Sequence, residues 1–198
     1  MVVNVKKIPS LFVRIFDDHH NKTITEEITK GCEWVFNEPV LATIKYDGTA
    51  TYFYNNTLWK RYDAKHGKPI PDEAIKCQPY PDPITGHMPC WIKVKKNNPA
   101  DKWFVKAYEE AIENGFKFVN GQTYELCGPH FQGNPEKLEK DTFIKHGGEF
   151  CKGLDTSNLS FDSIKQWLKE NEVEGIVFYR ENYDMCKIKR SDFGIKWK

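Results

Sequence analysis

The chain has 198 residues, a net charge of only +1 and 14% aromatic residues, placed along its whole length. That length suits one domain, the aromatic content excludes a disordered polymer, and the near-neutral charge excludes a global basic field, so any nucleic-acid surface must be a local patch. The opening residues MVVNVKKIPS lack the apolar core of a signal peptide, and no run approaches the ~18 apolar residues that span a bilayer. The expectation is a soluble, cytoplasmic protein with no membrane partner and a monomer by default.

In chain order, residues 11–16 (LFVRIF) alternate as a strand does. Residues 40–46 (VLATIKY) and 49–55 (TATYFYN) are β-branched and aromatic, and they bracket the turn signal Asp47-Gly48. Asn55-Asn56 then separates TYFY from TLWKRY as a tight hairpin. This reading puts Lys45 at a strand end, on a β-meander. Between Lys68 and Pro89 stand Pro69, Pro71, Pro79, Pro81, Pro83 and Pro89, which exclude regular helix and central strand and predict a long loop. Trp91, Ile92 and Val94 resume a strand pattern.

Residues 101–114 read as a helix, with Asp101 as N-cap, a stripe of Phe104, Ala107, Tyr108 and Ala111, and Gly115 as the stop. Asn134-Pro135-Glu136 predicts a short helix opening. Residues 160–172 form a second helix with Ile164, Trp167 and Leu168 on one face, and residues 174–180 and 185–190 are two strands. Strands and hairpins dominate, so the class is α+β with antiparallel sheets.

The six cysteines (Cys32, Cys77, Cys90, Cys127, Cys151, Cys186) are dispersed without a CxxC and are expected as reduced thiols. Cys77, His87 and Cys90 fit no common zinc spacing, and the pair His19-His20 reads as exposed loop. The N-x-S/T triplets at Asn21, Asn55 and Asn158 read as chance matches. Neither a GxxxxGK[ST] nor a GxGxxG occurs, which removes P-loop and Rossmann readings.

Four short motifs follow one another: Lys45-Tyr-Asp-Gly48, Tyr124-Glu125-Leu-Cys-Gly128, Glu174-Gly-Ile-Val-Phe178 and Lys187-Ile-Lys189. Each is weak alone; the ordered set, each at a strand or strand edge, is specific. It resembles the covalent nucleotidyltransferase superfamily of DNA ligases, RNA ligases and mRNA-capping guanylyltransferases. Smaller signatures add to this: WKRYDAK (59–65), IPDEA (70–74), GHMPCWIKVKKNN (86–98), YELCGPHFQGNP (124–135) and IKHG (144–147). With these the chain looks most similar to small RNA ligases related to the vertebrate 5′-to-3′ RNA ligase.

The resemblance implies a single nucleotidyltransferase domain over residues 1–198, with antiparallel sheets flanked by helices and no OB domain. It implies an ATP-dependent RNA ligase of the RNA-repair type that uses Mg2+ or Mn2+ to join RNA 5′-phosphate and 3′-hydroxyl ends. Lys45 would be the nucleophile, carrying AMP as lysyl-AMP. Glu125 would contact the ribose, Glu174 would support the metal, and Lys187 and Lys189 would contact phosphates. Asp47 would orient the turn or touch substrate, and Gly48 would let the backbone approach the nucleotide. Arg61 corresponds to an arginine that contacts the nucleotide or substrate end, although a solvated surface arginine would look the same. Phe143, His146 and Phe150 are candidates for stacking on the base.

The chemistry agrees with this reading. An attacking lysine must be a free amine, an ordinary one has a pKa near ~10.4, and neighbouring positive charge lowers it. Lys187 and Lys189, two apart on a strand, share a face. A capping guanylyltransferase or a DNA ligase is the alternative, but both carry an OB domain after the KIK strand, and this chain ends nine residues past Lys189. A different class is an inactive nucleic-acid-binding module built on Lys187, Lys189, Arg190, Lys196 and Lys198 with Phe193 and Trp197 as stacking surfaces.

Overall fold

The computed structural model describes residues 6–16, 22–83, 85–181 and 184–197. His19, His20, Asn21 of the first N-x-T triplet and Lys198 lie outside them. The chain forms two compact units, one of residues 1–7 and 47–146, the other of residues 8–46 and 147–198. It passes between them three times, at Lys7–Ile8, Tyr46–Asp47 and His146–Gly147.

The second unit starts with the hairpin β1 (Phe12–Phe16) and β2 (Lys22–Ile28). A one-turn helix α1 (Trp34–Asn37) leads to β3 (Leu41–Lys45). After residue 147 come α3 (Phe161–Glu170), β10 (Gly175–Tyr179) and β11 (Met185–Lys189). The three-stranded sheet has the order β11-β10-β3, antiparallel throughout. Helix α3 starts where Ser160 and Ser163 cap each other. Its Ile164, Trp167 and Leu168 are buried with Phe12, Val35, Ile176, Phe178 and Ile188 in one core. These are the inward residues of β10 and β11, so their alternate residues, Val177, Lys187 and Lys189, take the opposite face.

The first unit holds a six-stranded sheet in the order β6-β7-β5-β4-β8-β9. Its strands are β4 (Thr49–Tyr54), β5 (Thr57–Ala64), β6 (Ile75–Lys76), β7 (Met88–Lys93), β8 (Gln122–Cys127) and β9 (Thr142–Lys145). Asn55 and Asn56 both have positive φ, 49° and 53°, which makes the β4–β5 turn of the primed kind that matches strand twist. Helix α2 (Lys102–Glu113) lays Phe104, Ala107, Tyr108 and Ala111 against Phe53, Leu126, Phe131 and Phe143.

Five expectations need correction. β3 and β4 do not form a meander: β3 pairs with β10, whereas β4 pairs with β5 and β8. The Asp47-Gly48 turn therefore changes sheet. Asn134-Pro135-Glu136 is a turn and opens no helix; Asn134 sits at φ 56° and its side chain bonds both backbone groups of Leu138, which closes the loop locally. Pro89 lies within β7, an inner strand. Its carbonyl accepts from Cys77 N on the β6 side, so its nitrogen faces that side too and no bond to β5 is lost.

Asp101 precedes α2 but makes no side-chain cap; its buried carboxylate takes the Lys60 ammonium, the Lys95 N–H and the Asn98 amide. Finally, Cys32 and Cys186 form a buried disulfide across 154 residues of sequence. Spacing along the chain carries no signal for such a pair, because the turn before α1 that holds Cys32 and the strand β11 that holds Cys186 come together only in the packed core. Cys77, Cys90, Cys127 and Cys151 are buried free thiols, as expected for all six. No helix among the described residues is long and apolar enough to cross a membrane.

Candidate functional site

In the second unit, register places Lys45, Gly175 and Lys189 in one row across β3, β10 and β11. The central residue is a glycine for a steric reason. A Cβ there would lie 2.2 Å from Ile188 O and 3.0 Å from Lys189 Cα. With no side chain between them, the lysines on either side both reach one carboxylate, that of Glu174. Lys45 Nζ bonds one oxygen and Lys189 Nζ the other. Glu174 is 3% exposed, so it is a buried charge, and burial of a charge demands such partners.

Lys187 stands one step along the same face, beside Val177. Its pKa is pushed down to about 8, first by burial and then by the charges of Lys45, Lys189 and Arg14, against the pull of Glu174. Residues 9–11 run alongside β11, with Lys187 N bonding Pro9 O and Leu11 N bonding Lys187 O. They lead into β1, whose Arg14 grips both oxygens of the buried Asp192 at 3.0 and 2.9 Å. Asp192 also accepts the Lys189 backbone N–H at 2.9 Å. Four cations thus surround two carboxylates, and the Arg14 Nε is buried with no hydrogen-bond partner among the described residues. The site holds a net positive charge that its own side chains do not neutralise.

In the first unit the turn after Lys45 is held by carboxylates. Asp47 N donates to Glu136 at 2.9 Å, and Gly48 N donates to Glu125 Oε1 at 3.0 Å. A Cβ on Gly48 would lie 2.4 Å from Leu126 O, so only glycine lets the turn lie this close to β8. Glu125 is 9% exposed and its other oxygen meets His146 Nε2 at 2.8 Å. It is therefore not a surface strand residue paired with a lysine. Arg61 is not solvated either: it lies over the Trp91 ring, bonds Asp63 at 2.9 Å and reaches the Cys77 sulfur at 3.6 Å.

Of the stacking candidates, Phe143 is core, Phe150 is exposed in the second unit, and His146 is committed to Glu125 and Thr123. Three residues of the proposed C-terminal binding module have partners within the fold. Phe193 packs edge-on against Phe12 and Phe161, Arg190 bonds the carbonyls of Leu168 and Asn171, and Lys189 faces Glu174. Cys77 and Cys90 lie in separate buried clusters. Among the described residues no three His, Cys, Asp or Glu gather where they could hold a metal ion. Arg14, Asp192, Glu136 and the Glu125 partnership of His146 escaped sequence reading; the only signal was the odd placement of a charge inside an otherwise apolar strand at Arg14.

A lysine amine is held beside a buried carboxylate, with further cations on the same sheet face, an arrangement with the charge to receive an anion and an amine to present to it. No family model matches the chain. It is similar to curated proteins named RNA ligase 1: the one from Pongo abelii is 27% identical over 165 aligned residues, covering 70% of this chain and 47% of that protein. Those from Rattus norvegicus and Danio rerio are 27% and 26% identical over 165 and 164 residues. The chain spans about half the length of the curated relatives it matches.

Proposed function

We propose that this protein is an ATP-dependent RNA ligase, built as one nucleotidyltransferase domain, that works through Lys45. The observation that carries the reading is the row Lys45–Glu174–Lys189 with Lys187 beside it, an amine nucleophile set among cations in excess. Similarity to proteins named RNA ligase 1 supports RNA as the substrate.

In the first step the Lys45 amine, having given up a proton, attacks the α-phosphorus of ATP. A P–N bond forms, a P–O bond breaks, and pyrophosphate leaves. Lys187 and Lys189 stabilise the charge gathering on the phosphate oxygens. The AMP then passes to an RNA 5′-phosphate, and an RNA 3′-hydroxyl displaces it to close the phosphodiester. Glu125 would contact the ribose, Arg61 the nucleotide or substrate end, and Gly48 and Asp47 the turn around the nucleotide.

Glu174 is a single carboxylate already shared by two ammonium groups, and no cage of protein donors stands among the described residues. Glu174 would be the protein's support for a magnesium or manganese ion only with an ammonium group drawn away from it, and the ion's other ligands would come from phosphates and water. Once bound, such an ion neutralises phosphate charge.

The test is incubation with magnesium and α-labelled ATP or GTP, followed by denaturing electrophoresis, for the wild type and Lys45→Ala. Label retained from ATP and lost in the variant is expected. Label from GTP moves the reading to capping chemistry. A Lys45→Ala protein that still takes label, or a wild type neither labelled nor carrying the mass of one AMP, overturns it.

A further inference from the structure

Glu125 is fixed at both oxygens. Oε1 accepts the Gly48 N–H at 3.0 Å, and Oε2 meets His146 Nε2 at 2.8 Å. The other imidazole nitrogen, Nδ1, lies 2.9 Å from the Thr123 hydroxyl. Chemistry fixes the direction of this chain. An ionised carboxylate only accepts, so Nε2 carries a proton toward Glu125. In the neutral ring Nδ1 then accepts, and the Thr123 hydroxyl donates.

The fold supplies all three members at fixed positions. Thr123 and Glu125 are two apart on β8 and share a face. His146 directly follows β9, which pairs with β8, and its own N–H bonds Thr123 O at 3.2 Å. The histidine is thus tied at its backbone and at both ring nitrogens, which fixes the plane of its ring. Its Nε2 holds one oxygen of Glu125 in place. Two acceptor positions of that carboxylate are used, and about two remain.

We infer that His146, held by Thr123, is a positioning residue that sets the Glu125 carboxylate for the nucleotide's ribose hydroxyls, and that preference for ribose over deoxyribose depends on it. The inference rests on the proposed ribose contact of Glu125. A site built to bond a hydroxyl rejects the analogue lacking it, because its own polar group is left unpaired. A carboxylate free to rotate follows water instead and loses that penalty.

The experiment measures the rate of protein labelling with ATP, 2′-deoxy-ATP and 3′-deoxy-ATP for wild type, His146→Ala, His146→Gln and Thr123→Val, with folding checked by circular dichroism. Wild type is expected to favour ATP over at least one deoxy analogue. In His146→Ala that ratio falls by roughly tenfold, taking the low end of the loss seen when a group that orients a metal-ligating side chain is removed. His146→Gln, whose amide still donates to Glu125, keeps most of the ratio, and Thr123→Val falls between. Should the alanine variant lose its fold, the glutamine and valine variants carry the same comparison against wild type. An unchanged ratio in His146→Ala and Thr123→Val overturns the inference while the labelling itself leaves the ligase reading standing. A labelled wild type indifferent to the sugar overturns it as well, and with it the ribose role of Glu125. Absence of label and of bound AMP in wild type overturns both readings together.

Discussion

Replacing Lys187 with Met keeps an unbranched apolar stem on β11 and removes the ammonium. The structure gives the size of the effect. An ordinary lysine near 10.5 is brought down to about 8 here, a gap of about 2.5 pH units, and at about 1.4 kcal/mol each this corresponds to about 3 kcal/mol as an upper limit. The sign follows from proton counting. Between pH 8 and 10.5 the unfolded chain holds a proton on this lysine that the folded chain has lost, so wild-type stability rises with pH across that window. Below pH 8 both states are charged and the full cost remains; above 10.5 neither is and the cost is gone. Urea unfolding of both proteins at pH 7 and at steps up to 10.5 isolates the term, because every other group titrates in both. Lys187→Met should be the more stable at pH 7, by up to about 3 kcal/mol, and the two curves should converge toward pH 10.5. A difference that stays constant with pH, or a variant less stable at pH 7, refutes the idea that Lys187 is held charged at a cost.

Two further outcomes follow from the same sheet. Gly175→Ala drives a Cβ into Ile188 O, so β10 and β11 must separate; nucleotide labelling should fall at least tenfold and stability by about 1–3 kcal/mol, read by labelling assay and urea titration. Labelling at wild-type rate would show that the lysine row does not need this close approach. The double variant Cys32→Ala, Cys186→Ala should lose about 2–5 kcal/mol against the oxidised protein, because the disulfide closes a loop of 154 residues. Adding a thiol reductant to wild type should bring it to the variant's stability, and equal stability under oxidising conditions would count against the bond.

The sequence alone determined most of the strands and both long helices, because burial on one face leaves a period of two or near 3.6 in the order of side chains. It determined the sites of the four motifs too, since Lys45, Gly48, Glu125, Gly175, Lys187 and Lys189 each stand at a strand, its end or its turn. It determined the hairpin at Asn55-Asn56, where side-chain chemistry and backbone conformation are local to the same two residues. Periodicity says which face is buried but not which strand lies next to it. Only the tertiary structure separated β3 from β4 into different sheets, brought Cys32 to Cys186, gave the Asp101 carboxylate to Lys60 in place of a helix cap, and set both Lys45 and Lys189 on Glu174. Each of these joins residues distant in sequence, and a buried charge or thiol finds its partner through the packing of the whole unit and not through its neighbours along the chain.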